Sequence, residues 1–275
     1  MFEFDLFIKE TVKEITIKAG QKCTAVRRII VPENLIGDVQ EGISARLKST
    51  VMGDPSQEGV RMGALATKLQ VERVRANVDL LAQSQNIVFG NPDAFELVGA
   101  DAKAGAFFPP ILFRNENPLQ NTACHDIEAF GPVATIMPYK NLDQAIEIAK
   151  LGKGSLVSSI VTPSNQEAVD YVVGAASMHG RILVLNKDCA KESTGHGSPM
   201  PLLTHGGPGR AGGGEEMGGK RGVLHYLQRT AIQGHPTTIT AITQQFQVGA
   251  DMPEANPHVF RKHFEELVIG ETVFT

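Results

Sequence analysis

The strongest constraint on the fold is a repeated change of hydrophobic period. Phe4, Phe7, Ile8, Val12 and Ile15 recur at helical spacing, and Val26, Ile29, Ile30 and Val31 then form an apolar run that Pro32 stops. The first pattern is that of an amphipathic helix and the second that of a buried strand. Over 33–50, Leu35, Val39, Ile43 and Leu47 step by four and are expected to face inward, with Asp38, Glu41, Arg46 and Lys48 in water, before Gly53-Asp54-Pro55 breaks the helix. A further helix is expected over 67–83, with Leu69, Val74, Val78 and Leu81 inward and Arg73, Arg75 and Asp79 outward, then a short strand over 85–89 ending at Gly90. The alternation resumes with a helix over 141–151 (Leu142, Ala145, Ile146 and Ala149 inward) and a strand over 156–161. Ser164 and Glu167 have the spacing of a capping box, and the helix they open is expected to reach His179, where Gly180 stops it. The strand 181–186 follows. Alternating helices and strands predict an α/β fold, a mostly parallel sheet covered by helices on both faces.

The run 106–113 carries Pro109 and Pro110, which cannot donate to a central ladder, so it reads as an edge or the start of a strand. After Asn186 the character shifts. Glycine is dense over 195–222, and Gly207-Pro208-Gly209-Arg210-Ala211-Gly212 satisfies Gly-x-Gly-x-x-Gly, but no strand precedes it and no helix opens out of it. A surface loop is the better reading than a dinucleotide cradle.

At 275 residues the chain can bury a full core. A net charge of −4 offers no basic footprint for nucleic acid. Three cysteines argue against a disulfide framework and for a reducing compartment. No run approaches the length of a membrane span, and the start lacks the features of a secretory signal, so the cytoplasm is the expected location. Cys124-His125-Asp126, and Cys189 with His196 and His205, offer no close cysteine pair, so no metal is expected and Cys124 and Cys189 read as bystanders.

Cys23 stands apart, because the polar turn Gly20-Gln21-Lys22 places it between a helix and a strand. A thiol is a useful nucleophile only where the thiolate is reachable and supported. Gly20-Gln21-Lys22-Cys23-Thr24-Ala25 resembles the active-site turn of the aldehyde dehydrogenase superfamily, in which Gly-Gln-x-Cys surrounds the nucleophile. Glu128-Ala129-Phe130-Gly131-Pro132 resembles that family's Glu-x-Phe-Gly-Pro motif. The resemblance implies that the Cys23 thiolate attacks an aldehyde to form a thiohemiacetal, that a nicotinamide cofactor, NADP or NAD, takes the hydride, and that the thioester is hydrolysed. It further implies that the Cys23 N–H supports the oxyanion, that Glu128 accepts hydrogen bonds from the nicotinamide ribose, and that Phe130 packs beside the ring. Outside the resemblance, Glu128 and Phe130 read as a helix-start carboxylate and a core aromatic.

The resemblance covers residues 2–233 and the catalytic half alone. The family's cofactor domain precedes the cysteine, whereas only 22 residues do so here, so the chain is expected to be a fragment or truncated reading frame with the dinucleotide fold missing upstream. Its division is expected to be a catalytic domain over 1–233, an oligomerisation strand and linker over 234–259, centred on 237–246, and the start of a truncated second domain over 260–275. That last stretch resembles the opening of a hot-dog-fold enoyl-CoA hydratase domain. Such a fusion occurs in the family branch that opens the ring in bacterial phenylacetate degradation, oxepin-CoA hydrolase joined to a semialdehyde dehydrogenase. It implies a CoA-thioester semialdehyde as substrate and a homo-oligomer as the assembly. The competing reading is a non-catalytic module that keeps only fold and oligomer contacts.

Overall fold

Helix α1 (Phe2–Thr16) leads through a 3-10 turn (Ile17–Gly20) to strand β1 (Arg28–Pro32), and helix α2 (Ile36–Lys48) follows. The computed structural model that shows this describes residues 2–198, 206–212 and 226–251. Next come α3 (Lys68–Ala82), β2 (Asn86–Phe89), β3 (Ile111–Arg114), the one-turn α4 (Ala123–Asp126), β4 (Val133–Tyr139), α5 (Leu142–Lys150), β5 (Ser155–Val161), α6 (Asn165–Ala175), β6 (His179–Leu185), β7 (Ala231–Gln233) and α7 (Pro236–Thr243).

The strands form two sheets in place of one. The first has the order β1-β4-β3-β2, parallel except for β2, and the second the order β5-β6-β7, all parallel. Side chains of the first sheet alternate between two cores, as the pleat requires. Ile29, Val31, Leu112, Ala134 and Ile136 pack under α1 and α2 with Ile8, Val12, Ile15, Val39 and Ile43. Ile111, Phe113, Val133 and Met137 point the other way, against Val74, Val78 and Leu81 of α3 and Ile148 of α5. Each such side chain taken from water contributes roughly 1.5–3 kcal/mol. The mostly parallel α/β reading therefore holds.

Several local expectations do not hold. Leu35 and Leu69 are exposed, at 38% and 52%, because both sit at the start of a helix before it meets the sheet. The helix from Asn165 ends at Ala175, and His179 and Gly180 open β6, so Gly180 is not its stop. Ser164 does cap that helix by accepting from the Glu167 N–H, but the Glu167 carboxylate takes its hydrogen bond from Thr162 Oγ1 and not from Ser164. Pro109 and Pro110 precede β3, which lies between β4 and β2, so the edge reading fails and the strand-start reading stands. Within 237–246 there is a helix and no strand: Pro236 takes the first position of α7, and His235 caps it by accepting from the Thr237 N–H. The stretch 260–275 lies outside the described residues. Among the described residues no helix is long and apolar enough to cross a membrane.

Candidate active site

Strands β1 and β4 pair in parallel with Arg28 opposite Thr135. That register carries Cys23 and Phe130, each five residues earlier, to the same end of the sheet. Two motifs far apart in sequence thus become neighbours. Cys23, Glu128 and Phe130 line one cavity of 780 Å³.

The turn that presents Cys23 is fixed on every side. Lys18, Ala19 and Gly20 have φ of 52°, 51° and 69°, a left-handed run that reverses the chain after α1. A Cβ at Gly20 would lie 2.2 Å from the Gly131 carbonyl oxygen, so the glycines of the two motifs meet backbone to backbone. Gln21 Nε2 donates to the Phe130 carbonyl at 3.1 Å, and its Oε1 accepts from the Ala66 N–H at 2.7 Å. Lys22 pairs with the buried Glu14 of α1 at 2.7 Å, and Thr24 Oγ1 donates to the Gly197 carbonyl at 3.1 Å. The Ala25 N–H closes the turn on the Lys22 carbonyl. Its neighbours are anchored, and Cys23 between them is exposed.

Arg27 joins the two motifs, and the sequence offered no signal for it beyond the doubled arginine. Its Nη1 donates to the Gly131 carbonyl at 2.6 Å, its Nη2 to the Gly20 carbonyl at 2.7 Å, and its Nε to Glu128 Oε1 at 3.3 Å. The guanidinium also stands over the Phe130 ring, 5.3 Å from its centroid. Burial lowers the Arg27 pKa, and the Glu128 charge works against that shift. Arg28 turns the other way and reaches the His125 Nδ1 at 3.1 Å and the Ile148 and Ala149 carbonyls, each at 3.0 Å, at the end of α5. His125 Nε2 lies 2.9 Å from the Pro118 carbonyl, so its proton belongs there and Nδ1 accepts.

Glu128 and Phe130 lie between α4 and β4, so they are neither a helix-start carboxylate nor a core aromatic. The Glu128 side chain is 50% exposed and Phe130 36% exposed. The half-exposed carboxylate and the open ring leave a hydrogen-bonding group and an aromatic face in the cavity that Cys23 also lines. The glycine-rich segment does not fit the diphosphate. Its N–H groups at Gly207, Arg210, Ala211 and Gly212 donate to Gly212, Lys153, Pro208 and Gly209 carbonyls, which leaves none of these four for a phosphate. Arg210 is tied down as well, donating to the His125 and Asp126 carbonyls. Cys124 is buried and Cys189 half-buried, and burial raises both thiol pKa values, which makes them poor nucleophiles.

The α/β fold thus sets an exposed cysteine on a turn that is locked to a carboxylate–aromatic loop. The chain belongs to the aldehyde dehydrogenase family, whose model matches residues 1–232. It is 49% identical over 216 residues to "Protein MaoC" of Klebsiella aerogenes, covering 78% of this chain and 62% of that one. It is 41% identical over 206 residues to 3,4-dehydroadipyl-CoA semialdehyde dehydrogenase of Aromatoleum evansii, covering 75% of this chain and 40% of that one. Among solved structures, a putative methylmalonate-semialdehyde dehydrogenase from Sinorhizobium meliloti 1021, complexed with NAD, shares the fold with a TM-score of 0.66 at 21% identity, over 77% of this chain and 40% of that one. The chain therefore spans 62% of the first of these proteins and 40% of each of the other two.

Proposed function

We propose that this chain is the catalytic half of an NAD(P)-dependent aldehyde dehydrogenase that oxidises a CoA-linked semialdehyde to the acid. The observation that carries the reading is the cavity lined by the exposed Cys23 and by Glu128 and Phe130, with Arg27 tying the Gly20 end of the cysteine turn to the Glu128–Gly131 loop. The Cys23 thiolate adds to the aldehyde carbon and forms the carbon–sulfur bond of a thiohemiacetal. A nicotinamide cofactor, NADP or NAD, would accept the hydride that leaves the thiohemiacetal carbon, which turns the thiohemiacetal into a thioester. Water then cleaves the thioester and returns the thiol. Glu128 would hold the ribose hydroxyls with the carboxylate oxygen that Arg27 leaves open, and Phe130 would set the distance of the ring from the sulfur.

The choice of a CoA-linked semialdehyde rests on the likeness to the Aromatoleum evansii protein. A place in phenylacetate degradation, a cytoplasmic location and a homo-oligomeric state belong to the same reading. So does the division at 233 into catalytic domain and tail, with 260–275 beginning a second domain. The test is NADPH or NADH formation at 340 nm with a CoA-thioester semialdehyde, for the longer protein and for this chain, each beside its Cys23→Ala variant. Turnover that survives Cys23→Ala overturns the assignment of the nucleophile. Turnover by the longer protein and none by this chain makes this chain the catalytic half only.

A further inference from the structure

Glu14 stands in the last turn of α1 and is 2% exposed. That end of a helix favours a cation, and a carboxylate taken out of water is costly unless it is paired. An apolar residue would serve the packing at least as well. The charge therefore has to be explained by what it holds. Two cations act on it. Lys22 Nζ lies 2.7 Å from Glu14 Oε2, with the Lys22 side chain 12% exposed. The second is Arg181 of β6, whose pKa burial lowers and the Glu14 charge holds up. Arg181 is committed elsewhere, donating to Gln233 Oε1 and to the His196 carbonyl, each at 2.5 Å. Lys22 is the direct partner.

The backbone over 195–197 covers this pair. A Cβ at Gly197 would lie 1.8 Å from Lys22 Nζ and 2.6 Å from Glu14 Oε2, so a side chain at that position would displace the ammonium. From the other side of Cys23, Thr24 Oγ1 donates to the carbonyl of the same Gly197 at 3.1 Å. The residues before and after Cys23 thus converge on one glycine, the first through its charge and the second through a hydrogen bond. Cys23, Thr24 and His196 line the 780 Å³ cavity, whereas Lys22 and Glu14 do not. Adjacent side chains therefore part company at the turn, Lys22 toward α1 and Cys23 toward the cavity.

We propose that Glu14 is a positioning residue for the nucleophile: its buried carboxylate draws the Lys22 ammonium onto α1, which fixes the direction of the Cys23 side chain and keeps a free cation away from its sulfur. The proposal rests on the reading of Cys23 as the nucleophile. A lysine carries a compact charge on a flexible four-carbon stem. Without Glu14 that stem swings out beside its neighbour, and the ammonium pairs with the thiolate. The pair competes with the aldehyde for the sulfur, and the lysine fills space through which the aldehyde enters. Glu14 removes both obstacles without touching substrate.

The test compares the rates at which Cys23 in the folded chain is alkylated by a neutral and an anionic reagent, iodoacetamide and iodoacetate, at low salt, with the modified peptide identified by its mass. The ratio of the iodoacetate to the iodoacetamide rate in the wild type is expected to match that in Glu14→Leu/Lys22→Met, where both charges are replaced by apolar groups. Glu14→Gln frees the ammonium and is expected to raise the ratio about threefold, a rise that about 0.5 M salt removes. A Glu14→Gln ratio equal to that of the wild type, in a chain that still unfolds cooperatively in urea, overturns the proposal. A purely structural role for Glu14 gives that result, since a loosened turn changes both rates alike. A wild-type ratio about threefold above that of the double variant also overturns it, whether or not Glu14→Gln folds, because the ammonium would then already stand beside the sulfur. No aldehyde or cofactor enters the readout, so failure here is distinct from failure of the dehydrogenase reading.

Discussion

Arg27 makes three hydrogen bonds that converge on the two motifs, two of them to the Gly20 and Gly131 carbonyls. The ion pair with half-exposed Glu128 contributes little by itself. The bonds to the Gly20 and Gly131 carbonyls come from a largely buried guanidinium and are the stronger part. Arg27→Lys keeps the charge but cannot span both carbonyls. It is expected to lower stability at pH 7 by about 2 kcal/mol in urea unfolding and to speed amide exchange over 128–131. A variant with wild-type stability and exchange would show that the motifs hold together without this clamp. The sequence singles out Cys23, Glu128 and Phe130 because their residue types sit in short patterns, and the fold brings the three to one cavity. It does not single out Arg27, because that role depends on the register of β1 on β4, which no local pattern encodes.

Elements were legible where burial fixed the period. The helices α1, α2 and α5 and the strands β1 and β6 each bury a face or both faces, and each leaves its trace in the sequence. The misreadings fall where burial is slight or local chemistry dominates. The segment 237–246 is rich in β-branched residues and reads as a strand, yet Pro236 at the helix start and the hydrogen bond from Thr238 Oγ1 to Asn165 Oδ1 dock it as a helix on α6. The tie between β1 and α5 shows how a single buried side chain places an element. Arg28 closes the last turn of α5 by donating to the Ile148 and Ala149 carbonyls, where a helix favours a cation. Arg28→Met leaves those carbonyls and His125 Nδ1 without this donor. It is expected to cost about 3 kcal/mol in urea unfolding at pH 7. A cost under about 1 kcal/mol, the size of an ordinary surface change, would mean that α5 is held by its apolar face alone.

At the scale of the whole molecule, the division into two sheets was hidden because the sequence of a strand does not say which strand lies beside it. The cleft between them also shapes the response to acid. His179 and His196 line it, with Nδ1 atoms at 2.5 Å and 2.6 Å from Ser155 Oγ and Ser159 Oγ. Burial lowers the His179 pKa to about 4 and the His196 pKa to about 3, and Arg28 and Arg181, respectively, push in the same direction. Both are neutral in the folded chain near neutral pH. An unfolded histidine takes its proton near pH 6.5, so between that value and about 4 the unfolded state binds more protons than the folded one. Stability is then fully present above pH 6.5 and is lost as pH falls, by up to about 1.4 kcal/mol per pH unit for each histidine. Asp54 and Asp126, whose pKa values are lowered below the usual carboxylate range by Ser56 and Lys153, titrate below this window. Burial lowers the His125 pKa as well, so urea midpoints measured from pH 7 to pH 5 are expected to fall steadily, and His196→Gln is expected to reduce the slope without abolishing it. A flat profile over that range would show that the two imidazoles take up protons within the fold, and that the cleft is wetter than its lining suggests.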